Sequence, residues 1–404
     1  MYASCYLVCY GIAQWESRVN GLDLKDKNLV GTISPNIRNL SFLRSLNLAI
    51  NSFYGRIPSE AGHLIRLQSL NLSYNSLEGE ILVNLSHCSN LMYLGLQYNH
   101  LVQQIPSELG SLSKLKNLYL ANNQLSGKFS PSMRNLFSLQ YLWLDLGIAL
   151  PNLQKLAMAG NKFTGSIPSA LSNASNFQEI DIPTNYFTEN IPLEFGNLRN
   201  LTWLNANRNL FGNYSVDDLS FLRLLTNCNQ LQTLDISYNR LGGSLLPEVG
   251  NLNTFVYLDI SFNKFFKEIP AELGDCLGLE ALYVQGNFFE GTIPDLSKLR
   301  GVQYLDLSHN NLTGQIPNYM VSFSMLINLN LSINNLEGEV PIQGVFRNAT
   351  IIEVYGNNGL CGGIQELQLR TRSNKHRNRV VFKLILAIGI PAFSVVVLSL
   401  ISLC

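Results

Sequence analysis

The chain has 404 residues, of which 28 are basic, 28 are acidic and only 14% are charged. A formal net charge of zero with so few charges argues against nucleic acid or another polyanion as a partner, because proteins that bind polyanions concentrate basic residues. The seven cysteines are too scattered for a zinc site, and their odd number leaves at least one unpaired.

Residues 1–18 precede the repetitive part of the chain. The first 13 residues contain no basic n-region, and the apolar run from Tyr6 to Ala13 is short, so a signal peptide is not convincingly encoded. We expect residues 1–18 to form a degenerate N-terminal cap on the repeats that follow.

A ladder of asparagines runs through residues 19–341. A Leu-x-x-Leu-x-Leu-type stretch, such as Leu67, Leu70 and Leu72 before Asn75, precedes each asparagine and predicts a short strand whose intervening residues point outward. The commonest step between asparagines is 24 residues, the spacing of a leucine-rich repeat. The ladder consists of Asn51, Asn75, Asn99, Asn123, Asn161, Asn185, Asn209, Asn239, Asn263, Asn287, Asn310 and Asn334.

The asparagine side chain has both a donor and an acceptor, so it satisfies backbone groups at the turn that leaves each strand. Most repeats continue as x-Leu-x-Gly-x-Ile-Pro, for example at Phe53, Gly55, Ile57 and Pro58. We count fourteen repeats in residues 19–341, the first with Lys27 in the asparagine position. The sequence therefore predicts an α/β repeat solenoid of the leucine-rich-repeat type, a horseshoe or superhelix with a parallel sheet on its concave face.

Two steps of the ladder break the period. From Asn123 to Asn161 there are 38 residues, about ten fewer than two repeats need, and the strand predicted at 139–144 lacks its asparagine and its Gly-x-Ile-Pro turn. This short coil is either a natural irregular loop or a skipped coding segment, and we favour the second reading because solenoids tolerate insertions better than deletions. From Asn209 to Asn239 the step is six residues longer, through residues 213–218.

The C-terminal part changes composition. Residues 342–369 are predicted to cap the solenoid, and residues 370–383 form a basic juxtamembrane segment. Residues 384–404 carry no charge and are long enough to cross a bilayer as one transmembrane helix. Counting basic residues alone would place the N-terminal side in the cytosol, but long domains follow a signal sequence regardless of loop charge, so we expect extracellular repeats.

Outward positions on the concave strands carry large amphipathic and acidic residues that the core does not need. We predict a ligand-binding surface there, since aromatic residues anchor interfaces and carboxylates pair with basic groups on a peptide. The alternative is that Leu-Asp-Leu is a common filler and the aromatics only cover the sheet. The candidate residues are Tyr93, Tyr119, Tyr141, Trp143 and Trp203, followed by Asp181, Asp235, Asp259 and Asp306.

Nine asparagines begin Asn-x-Ser/Thr glycosylation acceptors, although a repeat rich in Asn-Leu-Ser produces such sequences by construction. Asn71 and Asn330 are predicted on concave strands, where a glycan would block a ligand, and Asn39, Asn84 and Asn173 on the convex side. The full set is Asn39, Asn71, Asn84, Asn173, Asn200, Asn213, Asn311, Asn330 and Asn348.

Catalytic and metal-binding motifs are missing from the sequence. It has no nucleophile elbow, no His-Glu-x-x-His pair, no phosphate-binding loop and no kinase signature, so we expect neither enzymatic activity nor a cofactor nor a metal. Cys88, Cys228 and Cys276 occupy equivalent repeat positions, where we expect buried free thiols.

Several motifs resemble those of plant immune receptor-like kinases, a group that includes the receptors for bacterial flagellin and elongation-factor peptides. That resemblance implies a secreted repeat domain that binds a peptide or protein ligand, a partner co-receptor with a short repeat domain, one plasma-membrane helix and a cytosolic serine/threonine kinase, which this chain lacks. The motifs are Gly31-Thr32-Ile33-Ser34-Pro35, Leu171-Ser172-Asn173-Ala174-Ser175-Asn176 and Asn357-Asn358-Gly359-Leu360-Cys361-Gly362-Gly363.

The resemblance also implies paired cysteines in both caps. Only Cys5, Cys9 and Trp15 are available for the N-terminal pair, and Cys361 lacks its usual downstream partner. We therefore keep two alternatives to a receptor ectodomain: a binding protein like the plant inhibitors of secreted polygalacturonases, and a decoy or non-functional receptor fragment.

Overall fold

The computed structural model describes residues 18–127, 136, 138–139, 141–143, 153–167, 169–174 and 176–370, with residues 141–143, 170 and 173 described for their backbone only. The predicted span 384–404, the juxtamembrane residues 371–383 and residues 1–17 lie outside this set. Within the described residues no helix has both the length and the apolar character that a bilayer crossing requires.

The described residues form a succession of coils whose first strands build one parallel sheet of 15 strands, as the period predicts. We call its solvent-exposed side the inner face. The strands are β1 (Gly21–Asp23), β3 (Ser45–Asn47), β5 (Ser69–Asn71), β7 (Tyr93–Gly95), β9 (Asn117–Tyr119), β11 (Tyr141–Trp143), β12 (Lys155–Ala157), β14 (Glu179–Asp181), β16 (Trp203–Asn205), β17 (Thr233–Asp235), β19 (Tyr257–Asp259), β21 (Ala281–Tyr283), β23 (Tyr304–Asp306), β25 (Asn328–Asn330) and β27 (Ile352–Glu353).

A second set of parallel strands, each after a ladder asparagine or its equivalent, forms three outer sheets. The first contains β2 (Val30–Gly31), β4 (Ser52–Arg56), β6 (Ser76–Glu80), β8 (His100–Gln103), β10 (Gln124–Gly127), β13 (Lys162–Gly165) and β15 (Tyr186–Phe187). The second contains β18 (Gly242–Ser244), β20 (Lys264–Glu268) and β22 (Phe288–Glu290), and the third β24 (Thr313–Gly314), β26 (Asn335–Val340) and β28 (Gly359–Gly362).

The convex side is built mainly from 3-10 helices. The parallel strands of the predicted α/β class are therefore present, but its α-helices are largely replaced by 3-10 turns. One six-residue α-helix, α1 (Ser220–Leu225), stands among the described elements. The tight turns bring successive backbones into contact: a Cβ added at Gly62 would lie 2.4 Å from the carbonyl oxygen of Asn84 in the next coil. The 3-10 helices are Pro35–Asn39, Ser59–His63, Val83–His87, Ser107–Ser111, Ser169–Asn173, Leu193–Asn197, Pro247–Asn251, Ala271–Asp275, Asn318–Ser322, Gly344–Arg347 and Gln365–Leu367.

The asparagine ladder joins each coil to its neighbours. The amide nitrogen of Asn99 donates to the carbonyl oxygens of Leu72 (3.1 Å) and Leu96 (3.0 Å), and its Oδ1 accepts from the backbone N–H of Leu77 (2.9 Å). Asn357 continues the ladder into the C-terminal cap, because its amide donates to Leu331 O at 2.9 Å. These bonds satisfy backbone groups that would otherwise be buried without partners.

A continuous apolar core lies between the inner sheet and the convex turns. Phe163, Phe187 and Phe211 of successive coils stack at centroid distances of 6.3 and 6.0 Å. Cys88, Cys228 and Cys276 are buried and free, which confirms the sequence prediction, and burial raises the pKa of each thiol to about 11. Such thiols stay protonated and inert at neutral pH.

The two irregular coils depart from the regular pattern in different ways. In the short coil, β11 pairs with β9 and β12 in the inner sheet, but the outer sheet passes directly from β10 to β13. In the long coil, the carboxylate of Asp218 is 1% exposed and its Oδ2 accepts from the backbone N–H groups of Asn213, Ser215 and Gly242 at 2.9 to 3.2 Å. The longer loop thus carries its own internal acceptor.

Candidate ligand-binding face

The inner face presents two columns of side chains, from the first and the third residue of each three-residue strand. The middle residue, such as Leu204 or Leu305, is buried in the core, and alternation turns its two neighbours to the opposite side of the sheet. On β17 these neighbours, Thr233 and Asp235, are only 8% exposed. The parallel register places equivalent residues of adjacent coils side by side, for example Asp235 beside Asp259. All nine candidate ligand residues fall in these two columns.

The N-terminal candidates come together as an aromatic group. The rings of Tyr93 and Tyr119 are 5.2 Å apart and tilted by 42°. Gly95 is the register neighbour of Tyr119, and a Cβ at Gly95 would lie 3.0 Å from the Tyr93 ring, so the glycine makes room for that ring. The backbones of Tyr141 and Trp143 continue the columns on β11, next to Asn117 and Tyr119.

Trp203 stands apart from that group, on β16, with 42% of its surface exposed. Glu179 and Thr233 are its neighbours in the register. Strands β12 and β14 lie between β11 and β16 in the sheet, so the aromatic candidates fall into two separate parts of the predicted surface.

The acidic candidates have a structural task as well as an exposed position. Oδ1 of Asp235, Asp259 and Asp306 each accepts from the backbone N–H two residues further on, at 2.9 to 3.0 Å. Asn71 and Asn330 make the same turn-capping bond. Asp and Asn recur at this position because the turn needs an acceptor there. This structural task explains the recurring aspartates without a ligand, as the alternative interpretation of the Leu-Asp-Leu pattern requires.

Asp181 differs because Pro183, two residues on, has no N–H to offer. Its carboxylate instead accepts from the side-chain amide of Asn205 on the next strand, at 2.8 Å. Burial raises the pKa of Asp181, and its neighbours Glu179 and Asp235 add to the rise.

The carboxyl groups of Asp259 and Asp306, in the C-terminal half of the inner face, have raised pKa values. Burial raises the pKa of Asp259 to about 6, and the adjacent Asp235 carboxylate contributes further. Burial also raises the pKa of Asp306. Carboxylates that are partly removed from water and lie next to one another favour a cation, because a positive charge lowers the cost of ionising them.

A further column of exposed aromatic side chains, between the inner and the outer strand of each coil, was not predicted from the sequence. The residue just before each ladder asparagine has a left-handed backbone, with φ of 57° at Tyr74 and 51° at Tyr238. Tyr74 and Tyr98 stack at 4.3 Å, as do Tyr238 and Phe262. Aromatic residues directly before the ladder asparagines were the available signal, but this position follows the Leu-x-x-Leu-x-Leu stretch from which strand alternation was inferred.

The predicted glycosylation acceptors differ in accessibility. Asn71 and Asn330 lie on inner strands and are half-buried, and Asn84 is half-buried in the convex turn Val83–His87. Asn173 ends the convex turn Ser169–Asn173. The exposed acceptors are Asn39, Asn200, Asn213, Asn311 and Asn348. Their modification stays a prediction.

Metal ligation finds no support in the part of the chain that the structure describes, where no three His, Cys, Asp or Glu residues form a group able to hold an ion. The side chains that the inner face presents are tyrosine and tryptophan rings, carboxylates and turn-capping amides.

The comparisons with known proteins agree with this architecture. The leucine-rich-repeat family model matches residues 66–88, 114–136, 152–174, 230–252 and 301–323. Over 95 residues the chain is 50% identical to the LRR receptor-like serine/threonine-protein kinase EFR of Arabidopsis thaliana, a match that covers 24% of this chain and 9% of that protein.

Two solved structures extend the similarity over most of the chain. The crystal structure of PEPR1-AtPEP1 is matched with a TM-score of 0.69 and 30% identity, over 85% of this chain and 46% of that one. The plant peptide hormone receptor RGFR1 in complex with RGF2 is matched with a TM-score of 0.55 and 26% identity, over 83% and 63%. The chain thus spans only part of the relatives it matches. Its coils match the leucine-rich-repeat model in those five segments and resemble solved plant receptor ectodomains in fold, and no described residue belongs to a kinase domain.

Proposed function

We propose that this chain is the extracellular ligand-recognition domain of a plant plasma-membrane receptor and that it binds a peptide or protein ligand on the inner face. The observation that carries the proposal is the set of aromatic and acidic side chains held outward by strands whose core residues are already buried. Trp203 is 42% exposed and Tyr304 is 36% exposed, although neither is needed by the core. Tryptophan and tyrosine are enriched among the residues that dominate binding at protein interfaces.

The comparisons support the same function at a coarser level. RGFR1 is a peptide hormone receptor solved with RGF2, and EFR is a receptor-like kinase. In this chain, the ligand would contact the two inner columns, and a co-receptor would complete the signalling complex. Residues 384–404 would anchor the chain in the plasma membrane with the repeats outside, and the exposed acceptor asparagines would carry glycans.

A single preparation tests the localisation and the ligand site. The full chain, made in plant cells, should remain with membranes after an alkaline wash and should lose mass when treated with an endoglycosidase. A phage library of random dodecapeptides should then yield binders of the detergent-solubilised chain. Replacing Tyr119 and Trp203 together by alanine should lower the affinity for the enriched peptides, made synthetically, by about 30-fold or more, which corresponds to about 2 kcal/mol.

The matched control is Tyr186→Ala, which removes an aromatic ring of 50% exposure from the outer strand β15. This variant should bind like the parent chain. Peptides that fail to bind the control variant but still bind the inner-face variant would show that the ligand site lies on the outer surface. A chain that acquires no glycan and stays soluble would contradict the proposed localisation.

A further inference from the structure

The cations of the chain are unevenly distributed over its surface, although 28 basic and 28 acidic residues balance overall. In each regular coil an apolar residue lies two positions before the inner strand, and the two residues that flank it form two columns along one edge of the inner sheet. Within the first five coils these columns contain five exposed cations, which we call the basic edge: Arg18, Arg44, Arg66, Lys114 and Lys116.

Contacts between coils place three of these cations in a row. The guanidinium carbons of Arg18 and Arg66 lie 4.0 and 4.3 Å from the centroid of the Phe42 ring. Since Phe42 belongs to the coil between theirs, its ring separates the two cations. Two coils beyond Arg66, the Nζ of Lys114 donates to the Oδ1 of Asn90 at 2.7 Å. The row therefore runs across the coils, along the axis of the solenoid.

The other two cations lie beside this row, in the second column. The backbone carbonyl of Arg44 accepts from the N–H of Gln68 at 2.7 Å, and the N–H of Lys116 donates to the carbonyl of Met92 at 2.8 Å. These bonds join successive coils, so the second column runs parallel to the first. The basic edge is therefore one surface, and it borders the inner face.

The described carboxylates do not pair with the basic edge. The ion pairs found among the described residues all lie in the coils after β11 and include none of its five cations. Exposed like charges that lie close together repel one another, so a bound anion would relieve this repulsion. The acidic residues of the first five coils lie on β1 and in the turn after it, on the outer strand β6 and in convex turns: Asp23, Asp26, Glu60, Glu78, Glu80 and Glu108.

Later coils do not repeat this pattern. At the equivalent positions of the coils that contain β17, β19, β21, β23 and β25 there is no lysine or arginine. Thr254 and Val256 take these positions before β19, and Gly278 and Glu280 take them before β21. The repeat itself therefore does not require a cation here, in contrast to the turn-capping aspartates of the inner face.

The spacing of the row indicates the form of its partner. Arg18, Arg66 and Lys114 lie on alternate coils, and since neighbouring parallel strands are about 4.8 Å apart, these cations recur about every 9.6 Å. A polyproline II helix has three residues per turn and a rise of about 3.1 Å, so the side chains on one of its faces recur about every 9.3 Å. An extended β-strand repeats a face about every 6.8 Å, which does not match the row.

We propose that the basic edge binds an acidic, proline-rich segment of a partner protein, in the polyproline II conformation and with a carboxylate at every third residue. The guanidinium groups of Arg18 and Arg66, stacked on Phe42, keep their in-plane N–H donors for these carboxylates. Lys114 binds the third carboxylate, and the cations of the second column strengthen the positive potential beside the row. This surface lies beside the ligand columns of the inner face, and the proposal goes beyond the proposed function.

Fluorescence anisotropy on the detergent-solubilised full chain tests the proposal with three labelled dodecapeptides. The first has four Glu-Pro-Pro repeats, the second has the same composition with its four glutamates in one block, and the third has glutamine in place of glutamate. At low ionic strength the first peptide should bind at least about tenfold more tightly than the second, and the third should not bind. Added salt should weaken the binding, because the contacts are exposed.

Two sets of variants locate the binding. Arg18→Gln combined with Arg66→Gln should lower the affinity for the first peptide about tenfold, and Lys114→Gln alone about threefold. The matched control is Lys25→Gln combined with Lys27→Gln, which removes the same charge from exposed positions in the turn after β1 and should bind like the parent chain. Because all these side chains are exposed, each variant should keep the unfolding temperature of the parent chain.

Equal affinities for the first and second peptides would overturn the proposal, since the spacing of the carboxylates would not matter. Unchanged binding in the variant that lacks both arginines would overturn it as well. Oligogalacturonate is the competing probe: if it bound more tightly than the first peptide and lost its binding in the same variant, the basic edge would be a site for an anionic polysaccharide and not for an acidic protein segment.

Discussion

The long coil and the short coil break the same period in opposite directions, and the solenoid responds to them differently. Across the long coil, Asn239 keeps regular ladder bonds, with 3.0 Å to Ala206 O and 3.0 Å from the N–H of Phe211. Across the short coil, Asn161 makes the corresponding bonds at 3.3 Å to Leu120 O and 3.3 Å from the N–H of Leu125. The insertion leaves the ladder intact, while the deletion stretches it.

The difference follows from where each change falls. Residues 213–218 are added after the ladder position, on the side of the coil that has room to bulge, and Asp218 satisfies the backbone of the extra loop. The short coil keeps its inner strand β11, and the described outer sheet pairs β10 directly with β13. The inner sheet is thus preserved in both coils, and the convex half of a coil is the variable part.

The largest effect should come from removing the internal acceptor of the long coil. Asp218→Ala leaves the N–H groups of Asn213, Ser215 and Gly242 without their acceptor, and we expect a loss of about 3 to 5 kcal/mol in the free energy of unfolding. Chemical denaturation followed by tryptophan fluorescence measures this loss.

Asp218→Asn is the matched variant. It keeps one acceptor oxygen at the same place and puts its amide where Oδ1 has no partner, so it should lose less than half as much. Equal losses in the two variants would show that the charge, and not the geometry of the acceptor, holds the insertion.

A smaller effect is expected from the packing of the insertion against the next coil. A Cβ at Gly242 would lie 2.6 Å from the backbone carbon of Tyr214, inside the inserted segment. Gly242→Ala should therefore cost about 2 kcal/mol, because backbone atoms cannot move aside as a flexible side chain can. Thermal unfolding of this variant and of Gly301→Ala makes the comparison.

At Gly301 an added methyl group would have no other atom within 4 Å, so the alanine variant should unfold like the parent chain. If Gly242→Ala also unfolded like the parent chain, the inserted segment would not be tightly packed against the next coil, and only the ladder bonds would connect the long coil regularly to its neighbour.

The sequence alone predicts the inner half of each coil. The positions of Leu67, Leu70 and Leu72 before Asn75 predict a strand and a turn, and all three leucines are at most 1% exposed. The 3-10 geometry of the convex half was not predictable, because it depends on backbone contacts between coils, such as that of Gly62 with Asn84. Local hydrogen-bond preferences do not encode a contact that spans a repeat.

The candidate site was predicted to a similar extent. Alternation along the strand places Asp235 and Asp259 on the inner face, as expected, but it does not indicate that each carboxylate caps a turn N–H or that Asp235 is 8% exposed. The stacked pair Tyr74 and Tyr98 was missed because a left-handed residue does not follow strand alternation.

The smallest expected difference is between the ladder asparagine of a regular coil and that of the short coil. Asn99 and Asn161 are both 5% exposed and make the same four kinds of bond, but those of Asn99 measure 2.9 to 3.3 Å and those of Asn161 measure 3.3 to 3.4 Å. Hydrogen bonds weaken with length, so less is lost when the longer ones are removed. We expect Asn99→Ala to cost about 3 kcal/mol and Asn161→Ala roughly 1 kcal/mol less.

Hydrogen exchange measures this effect in each coil separately. The amides to follow are those of Leu77 and Leu125, which donate to Asn99 and Asn161. The method is appropriate because the stability of a solenoid is approximately a sum over contacts between neighbouring coils. In the parent chain Leu125 should already exchange faster than Leu77, because its acceptor is more distant. With the asparagine of each coil replaced by alanine, the exchange rates of the two amides should become more similar. A larger loss at Leu125 than at Leu77 would mean that the short coil depends on its ladder bonds more than a regular coil does.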